Sequence, residues 1–203
     1  MNLFKSAATV GGMTLVSRVL GFFRDMLLAI ILGTGPVADA FVVAFRFPNL
    51  FRRLFGEGAF NSAFVPLFAK KHEGEGTGAA KKFAQEVLSV LLITLIIFTI
   101  IAEISMPFLV RLIAPGFLED PDKFELSVLL TRIAFPYLAF MSLVAMLSGV
   151  LNSLGRFFAA AAAPVLLNIV LISVLLFLLV QDWGGTARSG VALVWGVSFA
   201  GLV

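Results

Sequence analysis

A chain of 203 residues that is 60% hydrophobic and only 13% charged, with a mean hydropathy of +1.05, lies outside the range of soluble domains and points to an all-α, polytopic membrane bundle. The lack of cysteine excludes disulfides, thiolate metal sites and a cysteine nucleophile. The formal charge of +3 is small, so its distribution matters more than its sum.

Six hydrophobic segments can be drawn, near 7–33, 39–69, 85–113, 127–153, 157–181 and 189–203. All but the last are long enough to span about 30 Å of hydrocarbon. Met1–Lys5 and the apolar run after it superficially resemble a signal peptide. Arg18 interrupts that run and no A-x-A-like cleavage site follows, so the N-terminus is expected to be retained.

The first segment is polar on one side only. At about 100° per residue, Gly11, Thr14, Ser17, Arg18, Gly21, Arg24 and Asp25 fall within an arc of about 140°, and Leu15, Val16, Val19, Leu20, Phe22, Phe23 and Leu27 cover the rest. In the second segment Asp39, Arg46, Asn49, Arg53, Gly56, Glu57 and Asn61 form a similar stripe, with Arg52 at its edge and Pro48 set to distort the turn before it. The two stripes are expected to face each other.

Such charges are expensive in a membrane. Each Arg or Asp at the centre of a spanning helix costs about 2.5–3.5 kcal/mol, while each Leu, Ile, Phe or Val gains about 0.3–0.6 kcal/mol. They therefore face a bundle interior or a wet pathway. Arg18 with Asp25, and Arg53 with Glu57, share a face and could be structural ion pairs. Yet Arg18, Arg24, Arg46, Arg52 and Arg53 outnumber Asp25, Asp39 and Glu57, so complete pairing still leaves two positive charges. Unpaired guanidinium inside a membrane is read as a site for an anion, because its planar fork binds phosphate or carboxylate oxygens bidentately.

The stretch KKHEGEGTGAAKK at 70–82 reads as a charged, glycine-rich connection. Its GEGTG is no phosphate loop, since neither the preceding strand nor the Lys-Ser/Thr is present. His72, the single histidine, has no ligand cluster around it, and no metal role is assigned. Glu103, in an otherwise uncharged third segment, is either a protonatable coupling site or a carboxylate near the headgroups or beside a basic neighbour. Residues 112–125, with Pro115, Gly116 and Pro121, should form a structured turn or short interfacial helix. The fourth segment carries Arg132 at its outer start, Pro136 within it, and Ser148, Gly149 and Asn152 towards its inner end. In the fifth, the alanines at 159–163 permit close helix approach, and Asn168 is read as an interhelical hydrogen-bond partner in preference to a substrate ligand. The sixth segment ends at Val203 without a polar tail, so the chain is expected to be a fragment of a longer protein.

Loop charges set an orientation. Lys5, Lys70, Lys71, Lys81, Lys82 and Arg156 lie on one side, against Arg111, Lys123 and Arg188 on the other, which puts the N-terminus in the cytoplasm. No nucleophile with a base, metal cluster or paired acids suggests bond-making chemistry, so no catalytic residue, cofactor or nucleic-acid partner is expected, and moving an anion fits better than an enzyme.

The stretches SRVLGFFRD (17–25), ADAFVVAFRFPNLFRRLFGEGAFNSAFVP (38–66), APGF (114–117), FPY (135–137) and APVLLNI (163–169) resemble the MurJ/MviN lipid II flippases of the bacterial inner membrane. That family lies within the MOP superfamily, with MATE drug exporters and polysaccharide flippases. The resemblance implies two six-helix lobes around a central cationic cavity, with a final helix pair shaping a groove for the lipid tail. This chain, residues 1–203, corresponds to the N-terminal lobe, and the second lobe is missing. The implied substrate is lipid II, undecaprenyl-diphosphate-linked MurNAc-pentapeptide-GlcNAc, carried outward by alternating access for peptidoglycan synthesis and cell shape. Membrane lipid and cell-wall synthesis proteins are the further partners.

By the same resemblance, Arg18, Arg24 and Arg52 would hold the diphosphate, and Asp25 and Asp39 would be gate partners that pair with arginine when one face is closed. Asn49 and Glu57 would contact sugar or peptide or orient Arg53, Ser17 would be a small polar cavity residue, and Arg46 stands where either cation would serve. With no nucleotide-binding motif, energy is expected from an ion gradient or the membrane potential. Two rival readings remain, a MATE-like exporter of small organic cations, whose cavity should favour acids, and a non-transporting membrane scaffold whose charges are structural pairs.

Overall fold

The computed structural model describes residues 3–46, 48–50 and 59–201, with side chains at 8–46, 48–50 and 62–201. The helices are α1 (Leu3–Leu32), α2 (Pro36–Ala44), α3 (Ala59–Ile113), α4 (Pro121–Ala134), α5 (Tyr137–Ser153), α6 (Phe157–Val180) and α7 (Ala187–Ala200). A 3-10 turn, Pro115–Glu119, joins α3 to α4, as the prolines of 112–125 led one to expect. Local chemistry fixes the starts. Pro36 and Pro121 sit in the first turns of α2 and α4, where a missing N–H costs nothing. The Asp120 carboxylate accepts the Lys123 N–H at 3.1 Å, and Thr186 Oγ1 accepts the Ser189 N–H at 3.3 Å at the head of α7.

Three boundaries differ from the sequence expectation. In the second segment α2 ends at Ala44, a turn follows at Phe45, and residues 46 and 48–50 are again helical; 47 and 51–58 lie outside the described residues, and α3 is described from Ala59. The 70–82 stretch is not an open loop, being helical on both sides of Gly76. Its charges suit an exposed helix, and Lys71 bonds Glu75 at 3.2 Å at the favourable i,i+4 spacing. Only Gly76, at φ 87° and ψ 175°, leaves helical geometry, in a region essentially restricted to glycine. The chain folds back there. The Phe64 and Phe83 rings stack at 5.8 Å, whereas a straight helix would separate them by about 28 Å. Finally, the fourth segment is divided where Phe135 and Pro136 form a turn between α4 and α5.

α1 lies along α6, α2 against α4 and α7, α3 against α5 and α4, and α6 also against α7. One core joins Ile31, Phe41, Leu130, Leu178 and Leu193 from α1, α2, α4, α6 and α7. A second joins Val43, Met106, Val110, Phe135 and Leu138, and a third fills the α3 hairpin with Phe64, Phe68, Leu91, Leu95 and Met146. The outer surface is itself apolar, with Ile93, Ile97, Ile100, Ile104 and Phe108 of α3 all exposed, as expected where the solvent is lipid.

Among the described residues, three stretches are long and apolar enough to cross a membrane: Ser62–Ile113, Pro121–Ser153 and Phe157–Val180. Ala187–Ala200 is apolar but shorter, and α1 carries Arg18, Arg24 and Asp25. Among the described residues the protein is thus all-helical, with three candidate spans.

A candidate anion-binding cavity on the first helix

The helix packing leaves a cavity of ≈ 990 Å³ between α1 and α6 on one side and α2, α5 and α7 on the other. Most of its wall is apolar, and Arg24 and Asp25 are the charged residues among its described lining. Asn49, Tyr137, Ser148 and Asn152 add polar edges. Arg24 and Asn49 therefore share this cavity from the two expected stripes, although α1 packs chiefly on α6 and α2 chiefly on α4.

Arg24 is tightly held. Its Nε and Nη2 donate to Asp25 Oδ1 at 3.0 and 2.8 Å, and its Nη1 donates to Asn168 Oδ1 at 2.8 Å. Asn168 Nδ2 in turn donates to the Ser17 carbonyl at 2.9 Å and to Ser17 Oγ at 3.3 Å. The Asn168 side chain is thus the interhelical hydrogen-bonding group expected from a lone amide in an apolar helix. A guanidinium carries five N–H donors, so two remain on Arg24, one on each terminal nitrogen. What the wall presents is a fixed, partly uncommitted cation beside an exposed carboxylate, an arrangement able to receive a second anion.

The polar arc of α1 has two edges with different environments. Ser17, Gly21 and Arg24 lie on one, against α6, where a Cβ on Gly21 would come within 3.8 Å of Asn168 Nδ2. Arg18 and Asp25 lie about 100–120° around the helix from Arg24 and are exposed. An Arg18–Asp25 pair does not form. Seven residues put them about 10 Å apart along the axis, and Asp25 bonds its neighbour Arg24 instead.

The described residues of the second stripe, Asp39, Arg46 and Asn49, have separate surroundings. Asp39 pairs with Lys123 of α4, Nζ to Oδ2 at 2.5 Å. Lys123 also lies 4.2 Å from the centre of the Phe117 ring. Arg46 Nη1 donates to the Ile113 carbonyl at 3.0 Å, closing the end of α3. Arg52, Arg53 and Glu57 lie outside the described residues. Glu103 has a basic neighbour, since Arg132 Nε stands 4.0 Å from its Oε2. His72 stacks on Phe68, with ring centres 6.2 Å apart. Sequence reasoning missed Tyr137 in the cavity and Lys123 as the partner of Asp39. A tyrosine beside a helix-breaking Pro136 was the available signal for the first, and nothing local signalled the second.

A family model described as lipid II flippase MurJ matches residues 28–203. The chain belongs to the MurJ lipid II flippase family. It is 58% identical over its whole length to "Probable lipid II flippase MurJ" of Rhizobium meliloti (strain 1021), covering 38% of that protein, and 55% identical, with the same coverage, to the protein of the same name from Rhizobium tropici. It is 43% identical over 87% of its length to "Lipid II flippase MurJ" of Burkholderia cenocepacia, covering 34% of it. Its fold matches a solved lipid II flippase MurJ in an inward closed conformation, with a TM-score of 0.74 and 28% identity over 95% of this chain and 40% of that one. The chain thus spans less than two-fifths of the length of these curated MurJ relatives.

Proposed function

We propose that this chain is the N-terminal lobe of a lipid II flippase, moving the undecaprenyl-diphosphate-linked peptidoglycan precursor across the cytoplasmic membrane by alternating access. On this reading the lobe makes six crossings with its N-terminus in the cytoplasm. Two crossings come from the α3 hairpin, one from α4 with α5, and the others from α1, α6 and α7. A second lobe, in the remainder of the protein, closes the cavity on the side where Arg18 and Asp25 are exposed. Coupling is to an ion gradient or to the membrane potential, and cell-wall synthesis proteins are partners in use of the product.

The observation that carries the reading is Arg24 on the wall of the ≈ 990 Å³ cavity, with two N–H groups uncommitted after Asp25 and Asn168 are satisfied. A diphosphate supplies the oxygens these donors lack, and Arg18, Arg52 and Arg53 add charge around them, with Ser17, Asn49 and Glu57 as polar contacts. Asp25 and Asp39 serve as gate residues that exchange partners as the cavity opens to either face.

The scaffold alternative takes Arg24–Asp25 as a structural pair, and the two readings part on one variant. In bacteria depleted of their own lipid II flippase, the complete protein should restore lipid II exposure at the periplasmic face, and Arg24→Ala should not, while reaching the membrane at normal levels. Full rescue by Arg24→Ala would overturn the assignment. Loss of inserted protein, in place of loss of transport, would favour the scaffold.

A further inference from the structure

We propose that Asn168 is a positioning residue that orients Arg24 for a diphosphate while leaving its charge unspent, an inference that rests on the proposed flippase function. The two partners of Arg24 differ in kind. Asp25 is an anion whose side chain is 68% exposed, while Asn168 is neutral and only 4% exposed. Both accept hydrogen bonds from the same guanidinium, but only the carboxylate cancels its charge.

The amide is fixed in direction. Its Oδ1 meets a donor, Arg24 Nη1 at 2.8 Å, and its Nδ2 meets an acceptor, the Ser17 carbonyl at 2.9 Å. Turning it over would set N–H against N–H and C=O against C=O at both ends. Among short side chains, an amide supplies both halves of this bridge without charge. A carboxylate at 168 would keep the bond to Arg24, lose the one to Ser17, and set a second anion on a guanidinium that already has Asp25. That anion would compete with any phosphate reaching the cavity. A leucine would keep the volume but release Nη1.

Exposure also separates the fixed partner from the exchangeable one. Water can solvate Asp25 once it lets go, whereas Asn168 lies between α1 and α6 and has nowhere else to hydrogen-bond. An incoming diphosphate would therefore take oxygen positions at the free N–H groups and on the Asp25 edge, with Asn168 holding the guanidinium plane throughout.

The test uses the complete protein in lipid nanodiscs, with undecaprenyl diphosphate as the probe and affinity measured per folded molecule. Asn168→Asp is expected to weaken binding at least tenfold, and Asn168→Leu several-fold, with both variants inserted. A purely structural bridge predicts the opposite order, because Asn168→Asp retains the bond to Arg24 and should be the milder change. That order, or wild-type affinity in both variants, would overturn the inference. If Asn168→Asp does not insert, wild-type affinity in Asn168→Leu is sufficient to overturn it. Arg24→Ala separates the two levels of argument. Unchanged binding in Arg24→Ala refutes the site itself, whereas lost binding there with normal binding in the Asn168 variants refutes only the positioning role.

Discussion

Replacing Gly76 by alanine should separate a helical hairpin from a continuous rod. The backbone at Gly76 has φ 87° and ψ 175°, and a Cβ added there would meet nothing within 4 Å. The penalty is therefore entirely one of backbone conformation, about 1–3 kcal/mol for a region that only glycine enters freely. Gly74 and Gly78 flank it within the same GEGTG stretch, are helical, and also have open space around a built Cβ. Alanine at either should stabilise by about 0.5–1 kcal/mol, through helix propensity and lower unfolded-state entropy. Three chemically identical substitutions within five residues thus have opposite signs. Equilibrium unfolding of the complete protein in mixed micelles, with helical signal followed against denaturing detergent, would measure all three. If Gly76→Ala stabilises like its neighbours, the helix runs through, and α3 becomes a rod of about 80 Å that no bilayer of about 30 Å accommodates upright. That result would refute the hairpin and the paired crossings built on it.

Gly196→Ala should destabilise by about 1–3 kcal/mol through overpacking, since its Cβ would stand 2.9 Å and 3.2 Å from the two γ-methyls of Val174, a stiff β-branched side chain that cannot swing aside. Thermal unfolding of Gly196→Ala with and without Val174→Ala checks this, and the second change should recover much of the loss. At the α2–α4 contact, Asp39 and Lys123 are 55% and 19% exposed in their side chains, so Asp39→Asn should cost no more than about 1 kcal/mol of stability. If Asp39 gates the proposed transport, complementation should fall far more than that loss explains, and exchanging the two residues should restore it.

What could be read from sequence followed from short-range geometry. The one-sided arc of α1 was legible because 100° per residue is a property of every helix, and it brings Ser17 and Arg24 together against α6. Asn168 was legible because a lone amide in an apolar helix must find a partner, although which partner was not. The 70–82 stretch misled because glycine and charge are common to loops and to exposed helices alike. Only Gly76 among its glycines uses the conformational freedom that composition suggests. The Arg18–Asp25 spacing misled differently, since a shared face does not overcome two turns of axial distance, and the flexible Arg24 side chain reaches Asp25 from the adjoining position. The Asp39–Lys123 pair joins positions 84 apart, and the Arg46 bond to the Ile113 carbonyl joins positions 67 apart. Both depend on the path of α3, which no local pattern specifies.

The charge balance of α1 follows from the same geometry. Within the described residues Arg24, on the edge packed against α6, is countered by Asp25 reaching from the exposed edge, while Arg18 on that exposed edge has no ion-pair partner. A helix that crossed lipid with Arg18 facing hydrocarbon would lose about 2.5–3.5 kcal/mol at that residue alone. The exposed edge therefore calls for water, an anion or another protein surface. The curated relatives are more than twice as long as this chain, and the second lobe proposed above would provide that surface. On the proposed reading, an anion that bridges the two edges would draw on Arg18 and Arg24 together, which neither Asp25 nor Asn168 can do from its observed position. The separation of the two arginines around one helix then suits a diphosphate, whose charge is spread over two linked groups, better than a single carboxylate.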